Sequence, residues 1–176
     1  MAETDGLIDF AKFSGLIVFA GPACTGKSTL AAEIARRHGL PHLSMDGTRQ
    51  RLMPDASHTR ADREVAYRAM LFAAELLLNA GAGVVLDAPY GHAEDRGQLA
   101  RVAGGKWKLI ECRVSEEIAV ERLRARGIPD PSRPDLTEER VVRLNREYRY
   151  TCEGLLLDTG NLSLEECLLQ IERYLA

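Results

Sequence analysis

Gly21-Pro22-Ala23-Cys24-Thr25-Gly26-Lys27-Ser28-Thr29 decides how this chain folds, because it fits the pattern G-x-x-x-x-G-K-[ST] at every fixed position. The glycines let successive backbone N–H groups converge on phosphate oxygens, Lys27 reaches the β and γ phosphates, and the Ser28 hydroxyl suits Mg²⁺. Upstream, Leu16-Ile17-Val18-Phe19-Ala20 is an apolar run between glycines and reads as a buried parallel strand. Downstream, Leu30, Ile34 and several alanines recur at helical spacing between Ser28 and His38, so the loop delivers phosphate to a helix N-terminus. Strand, loop and helix in this order predict a bound nucleoside triphosphate.

A length of 176 residues suits one domain, read here as 1–176 with an N-terminal extension at 1–13. Hydrophobic residues make up 45% and charged residues 28%, a globular rather than a disordered balance. No apolar run is long enough to cross a bilayer, and residues 1–13 are acidic early without a small-residue cleavage pattern, so a cytoplasmic protein is expected. Cys24, Cys112, Cys152 and Cys167 include no C-x-x-C pair, which points to free thiols rather than zinc or disulfides. The four histidines show no metal-ligand spacing. Lys plus Arg number 23 against 26 Asp plus Glu, a net charge of −3 that does not favour nonspecific nucleic-acid binding but leaves room for a local basic groove.

Strand and helix patterns then alternate to the C-terminus, which predicts a three-layer α/β fold with a five-stranded parallel sheet. Leu43-Ser44-Met45-Asp46 reads as a second strand ending in a carboxylate, followed by a loop through Pro54. Asp62 to Ala80 reads as a helix with an apolar stripe of Val65, Ala69, Phe72, Ala73, Leu76 and Leu77. Gly83 to Asp87 is a third strand, again closing on an aspartate, and Trp107 to Val114 a fourth. Residues 127–135 hold three of the seven prolines and read as a small lid. A helix from Thr137 to about Cys152, a fifth strand Leu155-Leu156-Leu157-Asp158 and a helix capped by Ser163 complete the chain.

Ligands of open α/β sheets gather at the carboxyl ends of strands, which brings Asp46 and Asp87 toward the phosphate loop. Asp46 is either a base that takes a proton from an acceptor hydroxyl, with Arg49 holding the acceptor, or a turn-capping residue. Asp87 either holds water on Mg²⁺, orients the acceptor side, or serves the turn before Pro89. Arg122 and Arg126, four apart on one helix face, either close over the triphosphate or complement the helix dipole.

On these residues the chain resembles the phosphate-loop kinases grouped around the polynucleotide kinase domain, gluconate kinase, chloramphenicol phosphotransferase and zeta toxins, an AAA-type ATP-binding domain. The resemblance runs from about Leu16 to Leu175. It is nearest the polynucleotide-kinase-like branch, whose Asp followed three residues later by Arg is matched by Asp46 and Arg49, with Gln50 and Met53 agreeing. The resemblance implies ATP and Mg²⁺, Asp46 as general base, Arg49 as an acceptor clamp, Asp87 paired with Arg96, and Arg122 and Arg126 as lid arginines. Gly47 departs from the branch, which often has a second acidic residue there, and Met45 stands where a basic residue is tolerated. The expected activity is ATP-dependent phosphoryl transfer to a hydroxyl of a small or nucleotide-like acceptor. A polynucleotide 5′-hydroxyl kinase and a non-kinase ATP-binding switch are the alternatives.

Overall fold

The computed structural model describes residues 14–55, 59–127, 133 and 135–176. The proposed extension at 1–13, and residues 128–132 and 134 of the proposed lid, lie outside these. Five strands form one all-parallel sheet: β1 (Leu16–Ala20), β2 (His42–Ser44), β3 (Val84–Asp87), β4 (Trp107–Arg113) and β5 (Leu155–Asp158), in the order β2-β3-β1-β4-β5. Seven helices are described: α1 (Lys27–His38), α2 (Met45–Leu52), α3 (Arg60–Asn79), α4 (Ala93–Ala103), α5 (Glu116–Ala125), α6 (Glu138–Glu147) and α7 (Leu164–Leu175).

Strand alternation sends successive side chains to opposite faces, and both faces are apolar because both are covered. Ile17, Phe19, Val85, Ile110 and Leu157 pack with α1 and α7 on one side. Leu16, Val18, Leu86 and Leu109 pack with α3 and α4 on the other. This is the three-layer α/β arrangement expected from the sequence, with the phosphate loop leaving the central strand.

Three local readings change. The second strand ends at Ser44, two residues early, and the segment expected to be a loop is helix α2. The Ser44 hydroxyl accepts from the Gly47 N–H, and Asp46 in the first turn complements the positive helix end, so this stretch carries its own start signal. Helix α3 starts at a Thr59/Asp62 capping box and buries Ala66, Met70 and Ala74, while Val65, Phe72 and Leu76 of the apolar stripe face solvent. The small residues on the buried face let the helix lie close on its neighbours. Helix α6 stops at Glu147 rather than near Cys152.

Glu111 explains that early stop. It is fully buried in β4, and its carboxylate accepts from the backbone N–H groups of Thr151 and Cys152 and from the Thr151 hydroxyl, at 2.9–3.1 Å. Those N–H groups are therefore not available to a continuing helix, and a buried charge is matched by several donors. We predict that Glu111→Ala lowers unfolding free energy in urea by about 2–4 kcal/mol, since it strands buried donors as well as removing the acceptor.

Candidate functional site

Residues 21–28 are held in one conformation from behind. Four successive carbonyls are each taken by a side chain: Pro22 O by the Thr25 hydroxyl (3.1 Å), Ala23 O by Asn145 Nδ2 (3.1 Å), Cys24 O by Arg122 (3.4 Å) and Thr25 O by the Thr159 hydroxyl (2.6 Å). Among the described residues no protein acceptor is taken by the backbone N–H groups of 23–28. Turning the carbonyls back leaves these donors to an anion at the start of α1, whose dipole adds to the attraction. Gly21 has φ +141°, and a Cβ there would run into the Cys112 carbonyl oxygen. Gly26 (φ 83°) makes the turn into α1.

The loop opens on a cleft of about 620 Å³, within the usual range for small-molecule sites. Lys27, Ser28, Asp46, Asp87 and Arg126 all line it, so five residues singled out in the sequence converge there. Asp87 is 3% exposed, and its Oδ1 has no hydrogen-bond partner. Such a buried anionic atom fits a hydrated cation or a ligand hydroxyl.

Arg49 does not reach the cleft. Once the chain is helical from Met45, Arg49 falls one turn further on the same buried face, and the two are 3% and 4% exposed. Arg96 donates to the Tyr90 carbonyl oxygen at 2.7 Å and braces the turn after β3. Arg122 does not close over the cleft either. Its guanidinium donates to the hydroxyl and carbonyl oxygens of Thr159 at 2.9 and 2.6 Å, so it supports the loop from the rear, whereas Arg126, at the end of α5, lies on the cleft wall. Thr29 is exposed and outside the cleft lining.

Several participants carried weaker signals. Asn145 interrupts the apolar face of α6, and a polar amide at such a place signals a specific bond. Thr159 follows the aspartate that ends β5, as Ala88 follows the one that ends β3. Arg133 gave no signal within its proline-rich segment, yet it donates to Asp46 Oδ2 at 3.0 Å and grips Asp135 with two bonds at 2.9 and 3.2 Å. Burial opposes its charge, but Asp135 and Asp46 outweigh that and raise its pKa. Tyr67 and Tyr148 also line the cleft, with hydroxyls engaged on the turn after β3: Tyr67 accepts from Tyr90 N–H and Tyr148 donates to Pro89 O.

The fold and site define a phosphate-loop protein with the α/β architecture of kinases. Residues 16–150 match the family described as an AAA domain, and the chain belongs to that family. It is 29% identical over 127 residues to an uncharacterized protein of Mycobacterium tuberculosis (strain ATCC 25618 / H37Rv), an alignment covering 64% of this chain and 26% of that protein. The chain thus spans about a quarter of the length of the curated relatives it matches. The APS kinase of M. tuberculosis, solved with AMPPNP and APS, superposes with a TM-score of 0.70 at 23% identity, covering 92% of this chain and 96% of that one. A gluconokinase from Sinorhizobium meliloti 1021 gives 0.64 at 20% identity, covering 90% of each. The resemblance read from the sequence therefore holds for family and fold.

Burial pushes the Cys24 thiol pKa up, and Arg126, Lys27, Arg133 and Arg122 offset this only in part. Iodoacetamide at neutral pH is therefore expected to label exposed Cys152 well before Cys24, as read by peptide mass spectrometry. Asn145→Ala frees the Ala23 carbonyl, and calorimetry should find ATP binding weaker by roughly 1–2 kcal/mol, about fivefold to thirtyfold.

Proposed function

We propose that the protein is an ATP-dependent phosphotransferase that moves the γ-phosphoryl group onto a hydroxyl of a small or nucleotide-like acceptor. The observation that carries this reading is the presence of a carboxylate, Asp46, in the same cleft as Lys27 and Ser28. Family membership and a fold shared with proteins described as APS kinase and gluconokinase support it.

In this reading the N–H groups of residues 23–28 and Lys27 hold the triphosphate, and Arg126 meets charge that builds on the transferring group. Ser28 Oγ and Asp87 would hold Mg²⁺, which supplies neutralisation of the β and γ oxygens. The residues fit that ion: Asp87 Oδ1 is buried and unpartnered. Asp46 accepts the acceptor's proton as the new O–P bond forms and the bond from the β–γ bridging oxygen to the γ phosphorus breaks. Arg133 donates to Asp46 Oδ2 and keeps that carboxylate oriented in the cleft. Arg49, buried in α2 and outside the cleft lining, has no part in holding the acceptor in this reading.

Arg60, Arg63 and Arg149 in the cleft wall favour one second reading, a polynucleotide 5′-hydroxyl kinase. A 5′-hydroxyl oligonucleotide held by several arginines would lose affinity steeply with salt, whereas a small neutral acceptor would not.

Asp46→Asn keeps the side chain's shape and removes the base. With an acceptor that the parent phosphorylates, kcat is expected to fall about 10²-fold to 10⁴-fold while ATP affinity stays within about twofold. Turnover equal to the parent's would rule out Asp46 as the base.

A further inference from the structure

The solvent side of α3 carries more apolar surface than a lone helix face needs. Val65, Phe72 and Leu76 are 47%, 62% and 54% exposed. At about 100° per residue they fall within roughly 40° of one another, a stripe on the order of 16 Å long. Tyr67, which lines the cleft, lies roughly 160° away around the helix, so the stripe is no part of the site described above. Scattered exposed leucines are ordinary, but an aligned aromatic and two large aliphatics form a patch of the kind that marks an interface.

Along one edge of the stripe lie Arg68 and Glu75, seven residues apart and of opposite sign. The Arg68 side chain is 79% exposed, with Glu64 one turn back at 4.0 Å. Two opposite charges spaced this way are self-complementary under an antiparallel two-fold: each Arg68 meets the other copy's Glu75, and the pair is made twice.

We propose that this face is where a second copy of the chain docks, with the two α3 helices antiparallel about an axis near residues 70–71. In that register Val65 of each copy packs on Leu76 of the other, Phe72 sits beside the axis, and the two Arg68–Glu75 pairs lie along one flank. The centre demanded by the apolar pairing and the centre demanded by the charges differ by only about one residue, and that agreement singles out a second copy as the occupant.

Light scattering after size exclusion, on the full chain at on the order of 100 µM, tests this. Twice the chain mass is expected for the parent. Phe72→Asp is expected to give the single-chain mass with an unchanged far-UV circular dichroism spectrum, since the residue is exposed. Arg68→Glu is expected to weaken dimerisation at least tenfold, and Arg68→Glu with Glu75→Arg to restore it by remaking both pairs in reverse. A parent of single-chain mass, a dimer untouched by Phe72→Asp, or a double variant no better than Arg68→Glu would each overturn the proposal.

Discussion

The direction in which four carbonyl groups point is the constraint on which this molecule's chemistry rests. A peptide that turns its N–H groups on a phosphate must do something with its C=O groups, and here each goes to a named partner: the Thr25 hydroxyl, Asn145, Arg122 and Thr159. Those partners come from the loop itself, from α6, from α5 and from the end of β5. Three separate elements are thus committed to holding eight residues, and their packing follows from that commitment. The small cluster of Cys24, Ala119, Leu123, Leu136 and Val141 binds α5 and α6 to the loop's flank and sets Arg122 and Asn145 within reach.

A second junction ties the loop to the rest of the cleft. Pro89 O, in the turn after β3, accepts both from Gly21 N–H (3.1 Å) and from the Tyr148 hydroxyl (2.6 Å). The next residue, Tyr90, has φ +47°, a backbone state costly for a bulky side chain, and it is held by Tyr67 at its N–H and Arg96 at its carbonyl. One short turn therefore touches the phosphate loop, α3, α4 and the segment after α6, and it begins at Asp87. Glu111 fixes the far side of this arrangement by holding the chain just beyond Tyr148.

Much of this was legible in the residues, and the boundary is physical. The parallel sheet, the loop and the convergence of Lys27, Ser28, Asp46, Asp87 and Arg126 follow from local patterns: apolar runs, a spaced motif and strand-terminal carboxylates. Arg49 was misplaced because spacing from Asp46 was read along a loop, while Ser44 starts a helix that turns Arg49 inward with Met45. Arg122 was assigned to the ligand because helix spacing pairs it with Arg126; only the tertiary position of Thr159 shows it supporting the loop. Arg133 met Asp46 across 87 residues of sequence, a distance over which no periodicity speaks. The α3 stripe is visible in the sequence, but amphipathicity shows that a helix has an apolar face without showing whether alanines on another face pack better.

The central claim is that a hydroxyl oxygen, and not water, receives the γ-phosphoryl group. The direct measurement is to incubate the protein with γ-³²P-labelled ATP, Mg²⁺ and pooled sugars, nucleosides, other alcohol metabolites and a 5′-hydroxyl oligonucleotide, then follow the label by chromatography. The account predicts label in an acid-stable phosphate ester of one acceptor class. Label found only in inorganic phosphate, whatever the pool, would contradict it and leave a nucleotide-hydrolysing switch.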